Sequence, residues 1–255
     1  MLSKALQKRI ASLENKKQRR ESGLFVAEGS KTVLDLIAAG VVPEKVIATA
    51  NWLAENYLNT GIEVIEVELE EMKRISFQQT PQGVMGIFRQ PQYDTDTTTP
   101  QRELCLALDN VQDPGNLGTI IRIADWFGIE NIFCSTGTAD IYNPKTIQAT
   151  MGAIGRVRVH YVDLPEMLAS LKGKAPIYGT FLDGEVVYTK RLEKHGVIVM
   201  GNEGNGIGDE CSRHITERLL IPRFILTDCL NMFLLRIFLS LSVSLLRMQS
   251  QLLVS

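Results

Sequence analysis

The sequence predicts an α/β fold built on a parallel sheet in its C-terminal half. Six short, nearly all-apolar runs lie between residues 104 and 221, and helix-length intervals separate them. Strands of a parallel sheet covered by helices have this composition, because neither face of such a sheet meets water. We therefore predict strands at residues 104–108, 131–134, 156–161, 177–181, 197–200 and 219–221.

Residues 24–88 predict a smaller α/β unit. Four apolar runs, at 24–27, 45–48, 62–67 and 84–88, alternate there with helical stretches. The following segment, 91–100, is polar, rich in threonine and bracketed by prolines, which is typical of a linker. The predicted organisation is a first domain at 1–90, a linker at 91–102 and a second domain at 103–255.

A polar corner, residues 109–113, joins the strand at 104–108 to a helix. Asp113 is suited to cap this helix, and Pro114 to open it, since the missing N–H costs nothing there. The helix is expected to end at Gly128, and its apolar positions are Leu117, Ile120, Ile121, Ala124 and Phe127. Arg122 falls away from this face. Because α/β enzymes place chemistry at such corners, the corner is a candidate site.

A glycine-rich loop, residues 201–206, follows the strand at 197–200. It is not a P-loop, because Ile207 and Gly208 stand where lysine and serine or threonine are required. Alternating glycines at 204, 206 and 208 also fail the dinucleotide fingerprint. The loop is either a sharp turn alone or a turn whose backbone approaches a ligand closely.

The distribution of charge indicates which partners the chain could bind. The net charge of −2 gives no overall cationic field, but seven basic residues lie between Lys4 and Arg20, opposed only by Glu14. This run is either a nucleic-acid contact or a solvated helix face.

The cysteines and histidines suggest neither a disulfide framework nor a metal site. No Cys-x-x-Cys pair and no signal peptide is present, so we expect a reducing, cytoplasmic compartment and no metal. The histidines lack ligand spacing and are interpreted as structural or surface residues. The residues concerned are Cys105, Cys134, Cys211, Cys229, His160, His195 and His214.

Three segments resemble, in order and spacing, the motifs of the SpoU (TrmH) family of RNA ribose 2′-O-methyltransferases, which belong to the knotted SPOUT class. The first is 109–128 and the second is 197–207. The third is Ile221 and Pro222, followed by Leu230 and Asn231. Together they cover about residues 104–231.

The resemblance implies S-adenosylmethionine as cofactor, held in a deep trefoil knot formed by the loops around Thr180, 201–206 and 221–231. It assigns cofactor contacts to Thr180, Gly201, Gly204, Gly206, Ile221 and Leu230. It assigns four residues to the catalytic group, namely Arg122, Asn116, Glu203 and Asn231. The last three are expected to fix the knot loops and the ribose-phosphate of the substrate.

Arg122 matches the family's proposed catalytic residue. A free arginine is a poor base, because its pKa exceeds about 12. Either Arg122 clamps the neighbouring phosphate and positions the hydroxyl, which we favour, or it accepts the proton once its own pKa is lowered in the complex. Trp126, four residues later and off the core face, suits a homodimer with its active site near the subunit interface, as in the family.

Residues 20–29 are similar to the start of the ribosomal-protein-like substrate-binding domain of SpoU enzymes. The resemblance implies an RNA substrate, ribosomal rather than transfer RNA. We expect phosphate contacts from Lys16, Lys17, Arg19, Arg20 and Arg122. A dimerisation or folding domain with a merely soluble basic helix is the alternative.

The sequence departs from the family after Phe224. Cys229 replaces a serine, and bulky residues at 232–235 replace small ones. Each bulky residue would overpack the last helix and destabilise the fold by about 1–3 kcal/mol. Residues 239–245 alternate like a strand, and the apolar stretch between Arg236 and Arg247 is too short for a membrane span. A non-catalytic RNA-binding protein is therefore the second hypothesis. A nucleotide-dependent oxidoreductase, lacking its fingerprint, is the third.

Overall fold

The computed structural model describes residues 2–58, 61–187 and 189–221, and the chain divides into two compact units. The first comprises Met1–Tyr93 with Asp140–Arg156, and the second comprises Asp94–Ala139 and the chain from Val157 onward. Helices of the described residues are α1 Lys4–Ser12, α2 Lys16–Ser22, α3 Ser30–Ala38, α4 Ala50–Glu55, α5 Leu69–Ile75, α6 Pro114–Trp126, α7 Pro144–Thr150, α8 Leu164–Leu171 and α9 Asp209–Ser212. Strands are β1 Leu24–Glu28, β2 Pro43–Thr49, β3 Val64–Val67, β4 Val84–Arg89, β5 Leu104–Leu108, β6 Asn131–Cys134, β7 Arg158–Tyr161, β8 Ile177–Val186, β9 Gly196–Met200 and β10 Glu217–Leu220.

The first unit is built on a mixed sheet with the order β1-β4-β2-β3. Strand β4 runs antiparallel to β1 and β2, whereas β2 and β3 are parallel. Apolar side chains of α1, α5 and all four strands of this sheet form its core, among them Ile10, Val26, Ile47, Met72 and Ile87.

The segment Asp140–Arg156 is part of the first unit, although it lies far along the sequence. Tyr142 packs against Phe25 of β1, with ring centroids 5.0 Å apart. Asp140 forms an ion pair with Arg19, whose Nη2 lies 2.6 Å from Oδ2. The domain predicted at 103–255 includes this segment, whereas the structure groups it with the first unit.

Among its described residues, the second unit contains six strands in the order β10-β8-β9-β5-β6-β7, and every pairing is parallel. The predicted α/β class with a parallel sheet is therefore confirmed. From β5 the chain proceeds to β6 on one side, and from β9 it proceeds to β10 on the other side. The connections after β5 and β9 therefore lead to opposite sides of the sheet, and such a switch point is where parallel α/β sheets bind ligands.

Helix α6 begins as predicted, because the Asp113 carboxylate accepts a hydrogen bond from the Asn116 N–H at 2.8 Å. Its core face is buried, and Gly128 follows its end in a left-handed conformation, with φ of 70°. Arg122 is exposed and the Trp126 side chain is 85% exposed, as expected for residues off the apolar face.

Some predicted boundaries differ from those observed. β7 begins at Arg158 rather than 156, because Ala153–Gly155 form a 3₁₀ turn just before it. β8 continues beyond residue 181 to Val186. Part of the predicted linker, from Asp94 onward, belongs to the second unit, where Thr99 and Pro100 are buried. There, hydrogen bonds from Thr98 and Arg102 lower the pKa of the Asp96 carboxyl to about 2.

Predictions for residues beyond Ile221 lie outside the described residues. They concern Leu230, Asn231, Cys229, the departures after Phe224, the alternation at 239–245 and the third loop of the knot. Within the described ranges, no helix is long and apolar enough to cross a membrane.

Candidate active site

The loops after β5 and β9 are joined by backbone and side-chain hydrogen bonds. The Asp109 N–H donates to the Met200 carbonyl at 2.8 Å, and the buried Asp109 carboxylate accepts from the Gly208 N–H at 2.8 Å. Asn202 Nδ2 donates to the Asn110 carbonyl at 2.8 Å. The first and second predicted motifs therefore form one structural unit at the carboxyl edge of the sheet.

Residues 201–206 form a tight loop that closes on itself. The backbone groups of Asn202 and Gly206 exchange two hydrogen bonds of 2.8 Å. Asn202 Oδ1 also accepts from the Gly204 N–H at 2.9 Å. A Cβ on Gly201 would lie 2.0 Å from the Gly206 carbonyl carbon, so position 201 requires glycine. Gly206 has φ of 69°, a left-handed conformation that favours glycine.

Gly204 is different from Gly201 and Gly206. A Cβ there would have a single neighbour, Asn202 Oδ1 at 3.5 Å, which is ordinary van der Waals contact. The residue is exposed and its φ is not in the left-handed region. Nothing in the loop's own packing therefore requires glycine at 204, and a side chain there would project toward solvent.

The structure brings Asn116 and Glu203 together, as two members of the predicted catalytic group. Asn116 Nδ2 donates to Glu203 Oε2 at 3.2 Å, which links α6 to the loop after β9. Arg122 lies further along α6, and within the described ranges its side chain makes no hydrogen bond or ion pair. The Arg122 residue is exposed to solvent.

Thr180 and Ile221 lie in and beside the strands on the other side of β9. Thr180 Oγ1 donates to the Val199 carbonyl at 3.2 Å, and Ile221 is buried after β10. Between Gly179 and Glu185 the pairing of β8 with β10 is interrupted, so residues 180–184 leave the ladder. Arg218 packs over the Phe181 ring and pairs with Asp183, which holds this excursion in place.

The cysteines near the site are not reactive thiolates. Cys211, buried beside Asp109, has its pKa raised to about 12 by burial first and by that carboxylate second. Burial likewise raises the pKa of the Cys105 thiol to about 12. No group of three or more histidine, cysteine, aspartate or glutamate side chains is arranged to hold a metal in the described part of the chain.

Of the four basic residues of α2 assigned to RNA, three are exposed: Lys16, Lys17 and Arg20. The fourth assignment is wrong, because the Arg19 side chain is only 3% exposed. Its Nη1 donates to the carbonyls of Leu13 and Glu14 at 2.8 and 2.7 Å, and its Nη2 pairs with Asp140. These contacts use the guanidinium within the first unit.

Asp109 and Asn202, which hold the two loops together, are not among the predicted site residues. The available signal was their position, since each is a polar residue that comes just after a buried strand.

Comparison with known proteins identifies the family. Residues 103–234 match the SpoU rRNA Methylase family, and residues 6–86 match the MRM3-like substrate binding domain. The chain belongs to the SpoU rRNA methylase family. The resemblance inferred from the three motifs is thus confirmed, and the second SpoU motif is the glycine loop described above.

Two relatives illustrate the range within the SpoU rRNA methylases. The chain is 27% identical over 221 residues to the 23S rRNA (guanosine(2553)-2′-O)-methyltransferase RlmP of Bacillus subtilis, covering 86% of this chain and 88% of the relative. It is 35% identical over 150 residues to human mitochondrial rRNA methyltransferase 3. That match covers 55% of this chain but only 36% of the longer human protein.

Solved structures of SpoU and TrmH proteins share the fold. A putative RNA methyltransferase of the TrmH family from Porphyromonas gingivalis superposes with a TM-score of 0.82 at 37% identity, covering 94% of this chain and 97% of that one. An AdoMet-bound rRNA methyltransferase from Sinorhizobium meliloti gives 0.76 at 29% identity, covering 93% and 95%.

Proposed function

We propose that this chain transfers the methyl group of S-adenosylmethionine to a ribose 2′-hydroxyl of ribosomal RNA. The observation that carries the proposal is the joining of the first two SpoU motifs at the switch point, through Asp109, Asn202 and the Asn116–Glu203 hydrogen bond. The two relatives described above are named as ribosomal RNA methyltransferases, which supports ribosomal RNA as the substrate class.

The residues at the carboxyl edge fit the cofactor. Gly204 is exposed and no internal contact of the loop requires glycine there, so its backbone is accessible to a ligand that a side chain would obstruct. Thr180, Gly201, Gly206 and Ile221 would line the site with it, and Leu230 is assigned by the resemblance alone. When bound, S-adenosylmethionine supplies an electrophilic methyl group on a sulfonium.

Arg122 positions the substrate in this proposal. Its exposed guanidinium suits a bidentate contact to the phosphate beside the reacting ribose, which would orient the 2′-hydroxyl. Asn116 and Glu203, held by their mutual hydrogen bond, would restrain the loop on which the ribose rests, and Asn231 is assigned to the same task by the resemblance.

The exposed residues of α2, Lys16, Lys17 and Arg20, would bind phosphates of the RNA without reading its sequence. Ribosomal rather than transfer RNA remains the expected substrate.

A homodimer is the proposed assembly. Trp126 is 85% exposed on α6 beside Arg122, and a large aromatic side chain in water favours burial against a second surface. Sedimentation that gives a monomer at high protein concentration would contradict this assembly.

A cytoplasmic location is proposed from the thiols. Cys105, Cys134 and Cys211 are free and buried in the structure, which suits a reducing compartment.

The test is methyl transfer from S-adenosylmethionine carrying a labelled methyl group to ribosomal RNA. Resistance of one phosphodiester to alkaline hydrolysis would then map the modified ribose. We expect one labelled nucleotide, and incorporation into a base rather than a ribose would contradict the reaction.

A non-catalytic RNA-binding protein is the alternative, and calorimetry separates the two. Folded protein that binds RNA but gives no heat with S-adenosylmethionine would favour the alternative. The third hypothesis, an oxidoreductase, has no support in the family match.

A further inference from the structure

The first unit contains a pocket of about 460 Å³. Its walls come from β1, from the residues after α5 and from the start of α7, all within that unit. Pockets of about 300–1,000 Å³ hold small organic ligands, so the space is sufficient for a nucleotide. The SpoU site described above uses none of these residues.

Glu28 is the most buried charged group of this pocket, at 8% exposure. One carboxylate oxygen accepts from the Phe77 N–H at 2.8 Å, and the other accepts from the Ser76 hydroxyl. An ionised carboxylate offers about four acceptor positions, so each oxygen retains capacity for a further donor. A planar ligand with two parallel N–H donors is the kind of partner that a carboxylate binds through both of its oxygens.

Burial raises the pKa of Glu28, more than its two hydrogen bonds lower it. The desolvated carboxylate is therefore only partly compensated within the protein. A ligand that donates two hydrogen bonds would complete that compensation.

The remaining wall combines apolar, amide and charged side chains. Phe77 offers apolar surface to one face of a flat ring, whereas Val26 and Ile147 are only 3% and 1% exposed. Gln78 and Gln148 offer amides to the edges of such a ring. The charged residues of the lining are Lys145, Glu14 and Glu28, so one cation stands against two carboxylates. Charge alone therefore does not choose between a base and an arginine side chain, the other common planar donor pair, and the choice of a base follows from the proposed function.

We propose that this pocket binds one unstacked guanine of the RNA substrate, with the Glu28 carboxylate accepting hydrogen bonds from its N1–H and its exocyclic amino group. Among the common RNA bases, guanine presents these two adjacent donors on its pairing edge. The proposal rests on the proposed function for its choice of RNA as ligand. It assigns to the first unit a base preference that phosphate contacts from α2 would not provide.

The experiment measures binding of the full chain to three fluorescein-labelled heptanucleotides by anisotropy. The probes are UUUUUUU and its variants with a central guanine or a central adenine. We expect the guanine probe to bind about tenfold more tightly than the other two. Equal binding of all three by the wild-type chain would overturn the proposal.

Three variants test the residues. Glu28→Gln should remove the preference, whereas Glu66→Gln, the same change at an exposed position of β3 outside the pocket, should keep it. Gln148→Ala, at an exposed position of α7, should reduce it without unfolding the unit. Thermal melting of each variant checks the fold. If Glu28→Gln does not fold, Gln148→Ala decides, and an unchanged preference there overturns the proposal.

Two further measurements separate the sources of failure. The first is competition for the bound guanine probe by a short peptide with one central arginine. If the peptide displaces the probe at the same concentration as the unlabelled guanine heptanucleotide does, the pocket prefers a protein partner to RNA, and the proposal is overturned. Methyl transfer to ribosomal RNA is assayed in parallel. Transfer without base preference rejects the pocket alone, and base preference without transfer rejects the methyltransferase function alone.

Discussion

Helices α2 and α6 each carry an arginine that the sequence assigns to RNA, but the structure treats the two arginines in opposite ways. Arg19 of α2 is buried and bonded to two carbonyls and Asp140, whereas Arg122 of α6 is exposed. The helices also differ in composition. α6 has a full apolar face, and α2, with the sequence KKQRRES, has no apolar residue.

The difference shows how a helix without an apolar face attaches to a unit. In α6, leucine and isoleucine side chains fill the core, so its arginine remains available for a ligand. In α2, the guanidinium of Arg19 replaces such side chains by binding groups that no apolar residue could bind. Four lysines and arginines in seven residues therefore include one that is structural.

Substitution of Arg19 should produce the largest effect. Arg19→Ala removes the ion-pair partner of Asp140 and the donor of two carbonyls, and we expect a loss of about 3–5 kcal/mol in the free energy of unfolding. Urea denaturation measures it. Arg20→Ala, at the exposed neighbouring position, should stay within about 0.5 kcal/mol. Equal stability of the two variants would end the contrast between α2 and α6.

Arg122→Lys should affect activity rather than stability. Lysine keeps the charge but cannot form the bidentate contact, so single-turnover methyl transfer should fall about 100-fold. Unfolding should change by less than about 0.5 kcal/mol. Arg213→Lys, an exposed arginine of the same unit, is the matched control. Near-wild-type transfer by Arg122→Lys would remove Arg122 from the mechanism.

The N-cap of α6 should contribute a smaller amount. Asp113→Ala removes the acceptor of the Asn116 N–H and should cost about 1 kcal/mol in the free energy of unfolding, whereas Asp113→Asn should retain most of it. The corresponding alanine substitution at the N-cap of α2, Asn15→Ala, removes the acceptor of the Lys17 N–H and should cost a similar amount. A loss at Asn15 as large as at Arg19 would mean that the cap, rather than the guanidinium, fixes α2.

A pH series extends the comparison to Glu28 of the first unit. Its folded pKa is raised above the ordinary value of 4.5, so its contribution to stability is present at low pH and is lost as pH rises through the folded pKa. The free energy of unfolding of the wild-type chain, minus that of Glu28→Gln, should therefore fall from pH 4 to pH 8. If this difference in the free energy of unfolding stays constant from pH 4 to pH 8, the pKa of Glu28 is not raised in the folded chain.

Local signals predicted the parts of the fold that depend on neighbouring residues. β5 and β6 have the predicted bounds, because each is an apolar run between polar turns, and Asp113 and Pro114 start α6 as their chemistry requires. The burial of Arg19 could not be predicted this way, since its partner Asp140 is 121 residues away. A charged residue indicates exposure until its partner is known.

The sequence predicted which residues form the site but not the hydrogen bonds that join them. The motifs supplied Asn116 and Glu203, yet their hydrogen bond spans 87 residues and follows from the adjacency of β5 and β9. The pocket around Glu28 gave only a weak signal, one acidic residue ending an apolar strand.

The hydrogen bond between the Asp109 carboxylate and the Gly208 N–H joins residues 99 positions apart. During synthesis the corner after β5 leaves the ribosome well before the loop that completes it. At about 5–20 residues per second, that interval is roughly 5–20 seconds. The chain therefore passes through a period in which its parallel sheet lacks β9, with β5 unpaired on one edge and its polar corner open. The unpaired edge of β5 is therefore exposed to pairing with other chains until β9 is made.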